Sequence, residues 1–173
     1  MKSSFRKNAR ATVITVSDSC FHGLRVDVSG PAVAGMLEQA GITEVASEIV
    51  PDEVAAIQTA ICSAAEATEL IVTTGGTGLA ERDVTPEATK GVCDRLVEGL
   101  PERMRSEGAR QTPLAALSRG VCGTRGRSLI LNLPGSPTGA TSSLGSVLAL
   151  LPHALDLLAG ETAHAAETPA QVK

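Results

Sequence analysis

Two aspartates and a glycine cluster are the residues of this chain best suited to chemistry. Asp52 stands in "PDE" (51–53), and Asp83 stands in "TTGGTGLAERDVTP" (73–86). Gly75, Gly76 and Gly78 let the backbone approach a ligand and offer it N–H groups, and clustered N–H groups hold anions. Thr77 and Thr85 add hydroxyl donors. A carboxylate beside a phosphate repels it unless a cation lies between. Asp52 and Asp83 therefore read together as hard-oxygen support for Mg²⁺, with Arg82 available for charge balance. The cluster is neither a Walker loop, since it lacks GK[ST], nor a GxGxxG dinucleotide motif. Each feature also has a plainer role. Glycines after a strand make turns, Asp52 before a helix is a good N-cap, and Asp18 in "SDS" (17–19) suits a turn.

These residues need elements to position them. "ATVITVS" (11–17), "EVASEIVP" (44–51), "ELIVTT" (69–74) and "SLILNL" (128–133) read as strands, rich in β-branched or apolar residues. Between them run helical patterns. One follows Ser29, a capping type, and Pro31; it carries Val33, Met36, Leu37 and Ala40 and stops at Gly41. A second opens at Asp52 and carries Val54, Ile57 and Ile61. A third has Thr85 and Pro86 as N-cap and first residue and carries Ala88, Val92 and Leu96. A last one bears Leu144, Val147, Leu148 and Leu151, with a kink or restart at Pro152. Residues 99–127 fit no single pattern beyond a helical "PERMRSEGAR" (101–110). Strand–helix alternation of this kind predicts an α/β fold, a three-layer sandwich with a mostly parallel central sheet flanked by helices.

Ligands of such sheets bind outside the carboxyl ends of the strands. Four polar stretches follow strands here: Ser17–Ser19, Pro51–Glu53, Gly75–Gly78 and "PGSP" (134–137). In a parallel sheet all four share one edge, so the sequence predicts one site assembled from distant segments.

Composition excludes several alternatives. Net charge is −4, from 15 basic and 19 acidic residues, so no basic tract neutralises a nucleic acid backbone. Phe5 and Phe21 are the only aromatic residues, which leaves no stacking platform for bases. Arg119, Arg125 and Arg127 are close enough in sequence to serve a phosphate, or to be an ordinary solvated surface. Cys20, Cys62, Cys93 and Cys122 form no CxxC pair, so a zinc site is not expected; Cys62 and Cys93 fall in apolar patterns as buried small residues. His22, His153 and His164 have no ligand spacing. The first residues lack the apolar run of a signal peptide, and no apolar stretch reaches a membrane-spanning length. The expectation is a cytoplasmic, reduced protein. Its single domain spans 11–160, between a flexible N-terminal extension (1–10) and a flexible C-terminal tail (161–173).

Four blocks, "VSDSCFHG…DVSGP", "VPDE", "TTGGTGLAERDVTPEAT" and "LILNLPGSPTGA", resemble in type and order the molybdopterin-binding family of molybdenum cofactor biosynthesis. The resemblance covers roughly residues 11–160 and leans to its Mog-type adenylyltransferases, through "DVTPEAT" and "NLPGSP". MoaB-type relatives share "TTGGTG". Molybdate-insertion enzymes carry a similar domain in a much longer chain, and the length of this one points away from them. The resemblance implies transfer of AMP from Mg-ATP to the terminal phosphate of molybdopterin, with release of pyrophosphate. It implies Asp52 and Asp83 as the essential carboxylates. For substrate binding it implies Ser17, Asp18, Thr74, Gly75, Gly76, Thr77, Gly78, Thr85, Pro134, Gly135 and Ser136. It further implies a homotrimer and hand-over of the product to a molybdate-insertion enzyme. Cys20, Phe21 and His22 depart from the small residues usual in the first block. A non-catalytic pterin carrier is the rival from another class, and it would gain little from two carboxylates beside bound phosphates.

Overall fold

The structure, a computed structural model, describes residues 4–161. A six-stranded sheet forms its middle layer: β1 (Arg10–Val16), β2 (Glu44–Val50), β3 (Leu70–Thr74), β4 (Arg95–Leu96), β5 (Cys122–Arg125) and β6 (Ser128–Leu133), in spatial order β2-β1-β3-β6-β5-β4. The helices are α1 (Asp18–Phe21), α2 (Ser29–Gln39), α3 (Val54–Ala65), α4 (Thr85–Val92), α5 (Gly99–Ala109), α6 (Pro137–Val147) and α7 (Leu151–Leu158).

The four strands expected from sequence are the parallel ones. β1 pairs with β2 and β3, and β3 pairs with β6, all in parallel. Their alternating side chains feed two cores. Val13, Leu70, Val72, Leu129 and Leu131 face one side, against Val33, Leu37, Leu144, Val147 and Leu151 of α2, α6 and α7. Ile14, Ile71 and Ile130 face the other, against Ile57 and Ile61 of α3 and Ala88 and Val92 of α4. Each such fully buried aliphatic side chain contributes about 1.5–3 kcal/mol. β2 closes one edge, and its Glu44 and Glu48 discourage further strand pairing.

The other edge was not legible. β5 runs antiparallel to β6, and β4 antiparallel to β5. β5 belongs to the stretch that fitted no pattern, with α5 and a 3₁₀ turn (Pro113–Leu117) ahead of it, and β4 lies where the third helical pattern was expected to continue. Asn132 joins this flap to the core. Its side-chain N–H groups donate to Thr73 Oγ1 and Thr89 Oγ1, each at 2.9 Å, and its Oδ1 accepts the Val121 N–H.

Several local expectations need correction. α4 stops at Val92, because Cys93 turns extended, and Leu96 belongs to β4 instead. Ser29 and Thr85 are the first residues of their helices rather than the caps, which are Val28 and Val84; each hydroxyl is committed elsewhere. Glu53, not Asp52, is the N-cap residue of α3. Pro152 restarts the last helix as expected, after a 3₁₀ turn at Leu148–Leu150. Pro137–Leu158 does reach membrane-spanning length, with 22 residues and mean hydropathy 1.3. Its inward residues Leu144, Val147, Leu151 and Leu155 are core residues. Ahead of β1, Phe5 packs on the first core and Arg6 pairs with Asp156 at 3.2 Å. His164 and residues 162–173 of the tail lie outside the described residues.

Among the described residues all four cysteines are free. Burial pushes the Cys93 thiol up to about 11 and the Cys122 thiol up to about 12, so both stay neutral.

Candidate active site

The register makes the parallel strands end level. Val16 lies beside Val50, Thr15 beside Thr74, and Thr74 beside Leu133. The four following loops therefore meet at one edge, as the alternation predicted. They enclose a cavity of about 300 Å³ lined by Ser17, Asp52, Thr74, Gly75, Gly76, Gly135 and Ser136, with Thr15, Val16, Cys20 and Arg25–Ser29 on the remaining wall.

Asp18 and Asp52 are crossed. The Asp18 N–H donates to Asp52 Oδ2 at 2.7 Å, and the Asp52 N–H donates to Asp18 Oδ1 at 3.0 Å. This exchange ties the loop after β1 to the loop after β2, and it explains why Asp52 does not cap α3. Arg82 reaches over from the third loop, with Nη2 at 2.6 Å and Nε at 3.0 Å from Asp18 Oδ2. The two carboxylates are consequently unlike. The Arg82 guanidinium, helped by the Asp52 backbone N–H, holds the Asp18 carboxyl below the ordinary aspartate range. Burial outweighs the Asp18 N–H at Asp52 and raises its carboxyl above that range.

The glycines prove to be seats for protein groups. Gly75 has φ +108° and Gly76 has φ +62°, values that side chains rarely allow. A Cβ on Gly75 would lie 2.2 Å from the Val16 carbonyl oxygen. One on Gly76 would lie 2.3 Å from Thr85 Oγ1 and 3.3 Å from Asp52 Oδ1, and one on Gly78 would lie 2.8 Å from Asp83 Oδ2. Thr85, fully buried, donates its hydroxyl to the Gly75 carbonyl at 2.9 Å. Asp83 Oδ2 accepts the Ala80 N–H at 2.8 Å. Asp52 and Asp83 are thus brought to the same glycine loop, but Asp83, Asp18, Thr77, Gly78, Thr85 and Pro134 lie around the cavity rather than in its wall.

The last loop is fixed by Thr74, whose hydroxyl donates to the Pro134 carbonyl at 2.7 Å. A Cβ on Gly135 would meet Gly75 Cα at 3.2 Å, so the two loops touch. Ser136 caps α6 by accepting the Gly139 N–H, and Ser17 likewise caps α1 through the Cys20 N–H.

Two residues of the region escaped the sequence reading. Asp27 lines the cavity and accepts from the Thr15 hydroxyl at 2.7 Å, the Gly30 N–H at 3.0 Å and the Ser29 hydroxyl at 3.3 Å. Its place three residues before Gly30 was the available signal. Among the described residues Arg25 is the one cation in the cavity wall. Arg119 lies outside it, fully engaged with protein groups. Arg125 donates to the Val92 carbonyl, and Arg127 sits at the β5–β6 turn, at the sheet edge remote from the site. The three arginines therefore do not form a phosphate cluster. In the divergent block, Cys20 lines the cavity while Phe21 and His22 lie exposed, their rings edge to face.

A covered parallel sheet whose carboxyl edge gathers glycine turns and carboxylates defines an α/β domain with one composite small-molecule site. The particular family follows from comparison. The profile described as "Probable molybdopterin binding domain" matches residues 12–153, and the chain belongs to that family. It is 40% identical over 152 residues to the molybdopterin adenylyltransferase of Helicobacter pylori strain J99, covering 86% of each protein. It is 42% identical over 164 residues to the molybdenum cofactor synthesis protein cinnamon of Drosophila melanogaster, covering 93% of this chain but only 27% of that protein. The solved molybdopterin biosynthesis enzyme MoaB of Thermus thermophilus is 52% identical, with a TM-score of 0.83 over 88% of this chain and 97% of that one.

Proposed function

We propose that this protein is a molybdopterin adenylyltransferase of molybdenum cofactor biosynthesis, a cytoplasmic homotrimer built on one domain over residues 11–160. The terminal phosphate of molybdopterin attacks the α-phosphate of ATP; the bond from that phosphorus to the bridging oxygen breaks, and pyrophosphate leaves with its electron pair. The observation that carries this reading is the meeting of the Asp18–Asp52 crossing with the Gly75–Gly76 turn at one cavity.

The residues suit such a transfer, which depends on positioning and charge neutralisation more than on covalent help from the protein. Gly75 and Gly76 turn the backbone so that a polyanion can approach closely. Arg25 supplies a positive wall. Asp27 is committed to three donors, so its charge is partly spread before substrate arrives.

Among the described residues no group of three or more His, Cys, Asp or Glu could cage a metal. That fits Mg²⁺, which is commonly bound by one or two carboxylates together with substrate phosphates. Asp52, whose Oδ1 faces Gly76, and Asp83 would hold it, and when bound it offsets the charge of the phosphates. The protein's own part is to keep both carboxylates oriented before substrate arrives.

The test mixes protein, Mg-ATP and molybdopterin and measures pyrophosphate. Pyrophosphate release that needs both substrates supports the reading; none, where the Helicobacter pylori enzyme turns over, overturns it. A MoaB-type relative of other activity is the second reading, favoured by the 52% identity to that enzyme. Substrate binding without pyrophosphate release would favour it. Light scattering checks the trimer.

A further inference from the structure

We propose that Arg119, which lies outside the four sequence blocks, is a positioning residue for the adenylyl-transfer site. It staples shut the loop that carries Asp83. The inference rests on the reaction proposed above.

Arg119 enters from the flap, between the 3₁₀ turn and β5. Its backbone N–H donates to the Thr77 carbonyl at 2.9 Å, and its Nε donates to the Gly78 carbonyl at 2.7 Å. Its Nη2 donates to the Asp83 carbonyl, and its Nη1 to the Glu87 carboxylate on the first turn of α4. One residue thus grips both ends of the loop and the helix behind it.

The two carbonyls held by the guanidinium flank a single contact. Asp83 Oδ2 would lie 2.8 Å from a Cβ on Gly78, and it accepts the Ala80 N–H. Releasing either carbonyl frees the carboxylate from its seat. In a trans peptide the carbonyl and the following N–H point opposite ways, so the N–H groups that follow the two held carbonyls, on Leu79 and Val84, are turned away from Arg119. Lysine cannot replace this, because an ammonium lacks the planar fork that meets several fixed acceptors at once.

The experiment compares wild type with Arg119→Ala, Arg119→Lys, Asp83→Asn and the double variant Arg119→Ala/Asp83→Asn. The readouts are kcat and KM for ATP, with circular dichroism to confirm folding. Arg119→Ala should lower kcat about 100-fold, a loss in line with misplacing a reacting group by about 1 Å. KM for ATP should change far less, and added guanidinium should restore part of the rate. Arg119→Lys should fall between. In the Asp83→Asn background, removing Arg119 should cost little more, since both act through one carboxylate. Losses that multiply in the double variant, or a folded Arg119→Ala with wild-type kcat, would overturn the proposal. Should Arg119→Ala not fold, Arg119→Lys with wild-type kcat and no guanidinium response overturns it equally. An inactive wild type would instead fail the reaction, and amide hydrogen exchange at residues 78–83 then tests the staple alone: faster exchange in Arg119→Lys supports it, and unchanged exchange refutes it.

Discussion

The parallel and antiparallel parts of the sheet divide the work. β2, β1, β3 and β6 end level and deliver the loops that carry the candidate chemistry. β5 and β4, with α5 and the 3₁₀ turn, deliver no loop to the cavity wall. They hold instead: Asn132 anchors the flap to the buried core, and Arg119 returns from it to grip the Thr77–Asp83 loop. One part gathers the candidate site residues by topology, and the other fixes one of its loops by hydrogen bonds to backbone carbonyls.

Substitutions in the two parts should therefore behave differently. The largest effect is expected from Asp52→Asn and Asp83→Asn in the parallel part. Each keeps the side chain's size but removes its charge, and each should cut turnover by about 100–1,000-fold, the scale seen when one preorganised electrostatic group is lost. Pyrophosphate release measures it. Retained activity in both variants would break the division, because the gathered carboxylates would then be scaffolding.

Thr85→Val tests how the glycine turn is held. It strips the fully buried donor from the Gly75 carbonyl, and should cost about 1–3 kcal/mol. Urea unfolding followed by circular dichroism reads this, since the chain has no Trp or Tyr. A midpoint equal to wild type would show that the turn holds itself.

Arg82→Gln probes the charge linking the loops. Asp52 is already raised by burial, and the Arg82 charge pulls both it and Asp18 down. If the ionised form of Asp52 is required, kcat/KM falls with decreasing pH through an Asp52 pKa above the ordinary 3.8. Removing Arg82 should move that acid limb to higher pH. A limb that stays or moves lower contradicts the electrostatic account. The smallest effect is expected from Arg127→Ala, on the antiparallel hairpin turn. Exposed substitutions of this kind stay within about 0.5 kcal/mol, and turnover should remain within about two-fold of wild type. A large loss there would erase the distinction between gripping residue and bystander.

The same division explains what could be read from sequence. β1, β3 and β6 are buried on both faces and so are continuous apolar runs, which made the fold and the shared edge legible. "GGTG" and "PGSP" follow such strands, "PDE" follows the edge strand β2, and the three do converge. β5 is four residues with a glycine and β4 is two, too short for any periodicity to declare them. The grip of Arg119 was illegible because its partners are mainly backbone carbonyls, which carry no sequence mark. The glycines were legible as a turn but not as seats for Thr85, Asp52 and Asp83, because only the fold brings those atoms against them. Asp52 sat at the right place for a cap, yet its oxygen was claimed by Asp18, distant in sequence.

The most direct measurement follows the phosphorus. Protein and Mg²⁺ are incubated with molybdopterin and ATP labelled at either the α- or the γ-phosphate, in wild type and Asp52→Asn. The account predicts that α-label moves to the pterin while γ-label leaves as pyrophosphate, and that Asp52→Asn loses the transfer while remaining folded. γ-Label on the pterin, or α-label transferred equally well by Asp52→Asn, would contradict it.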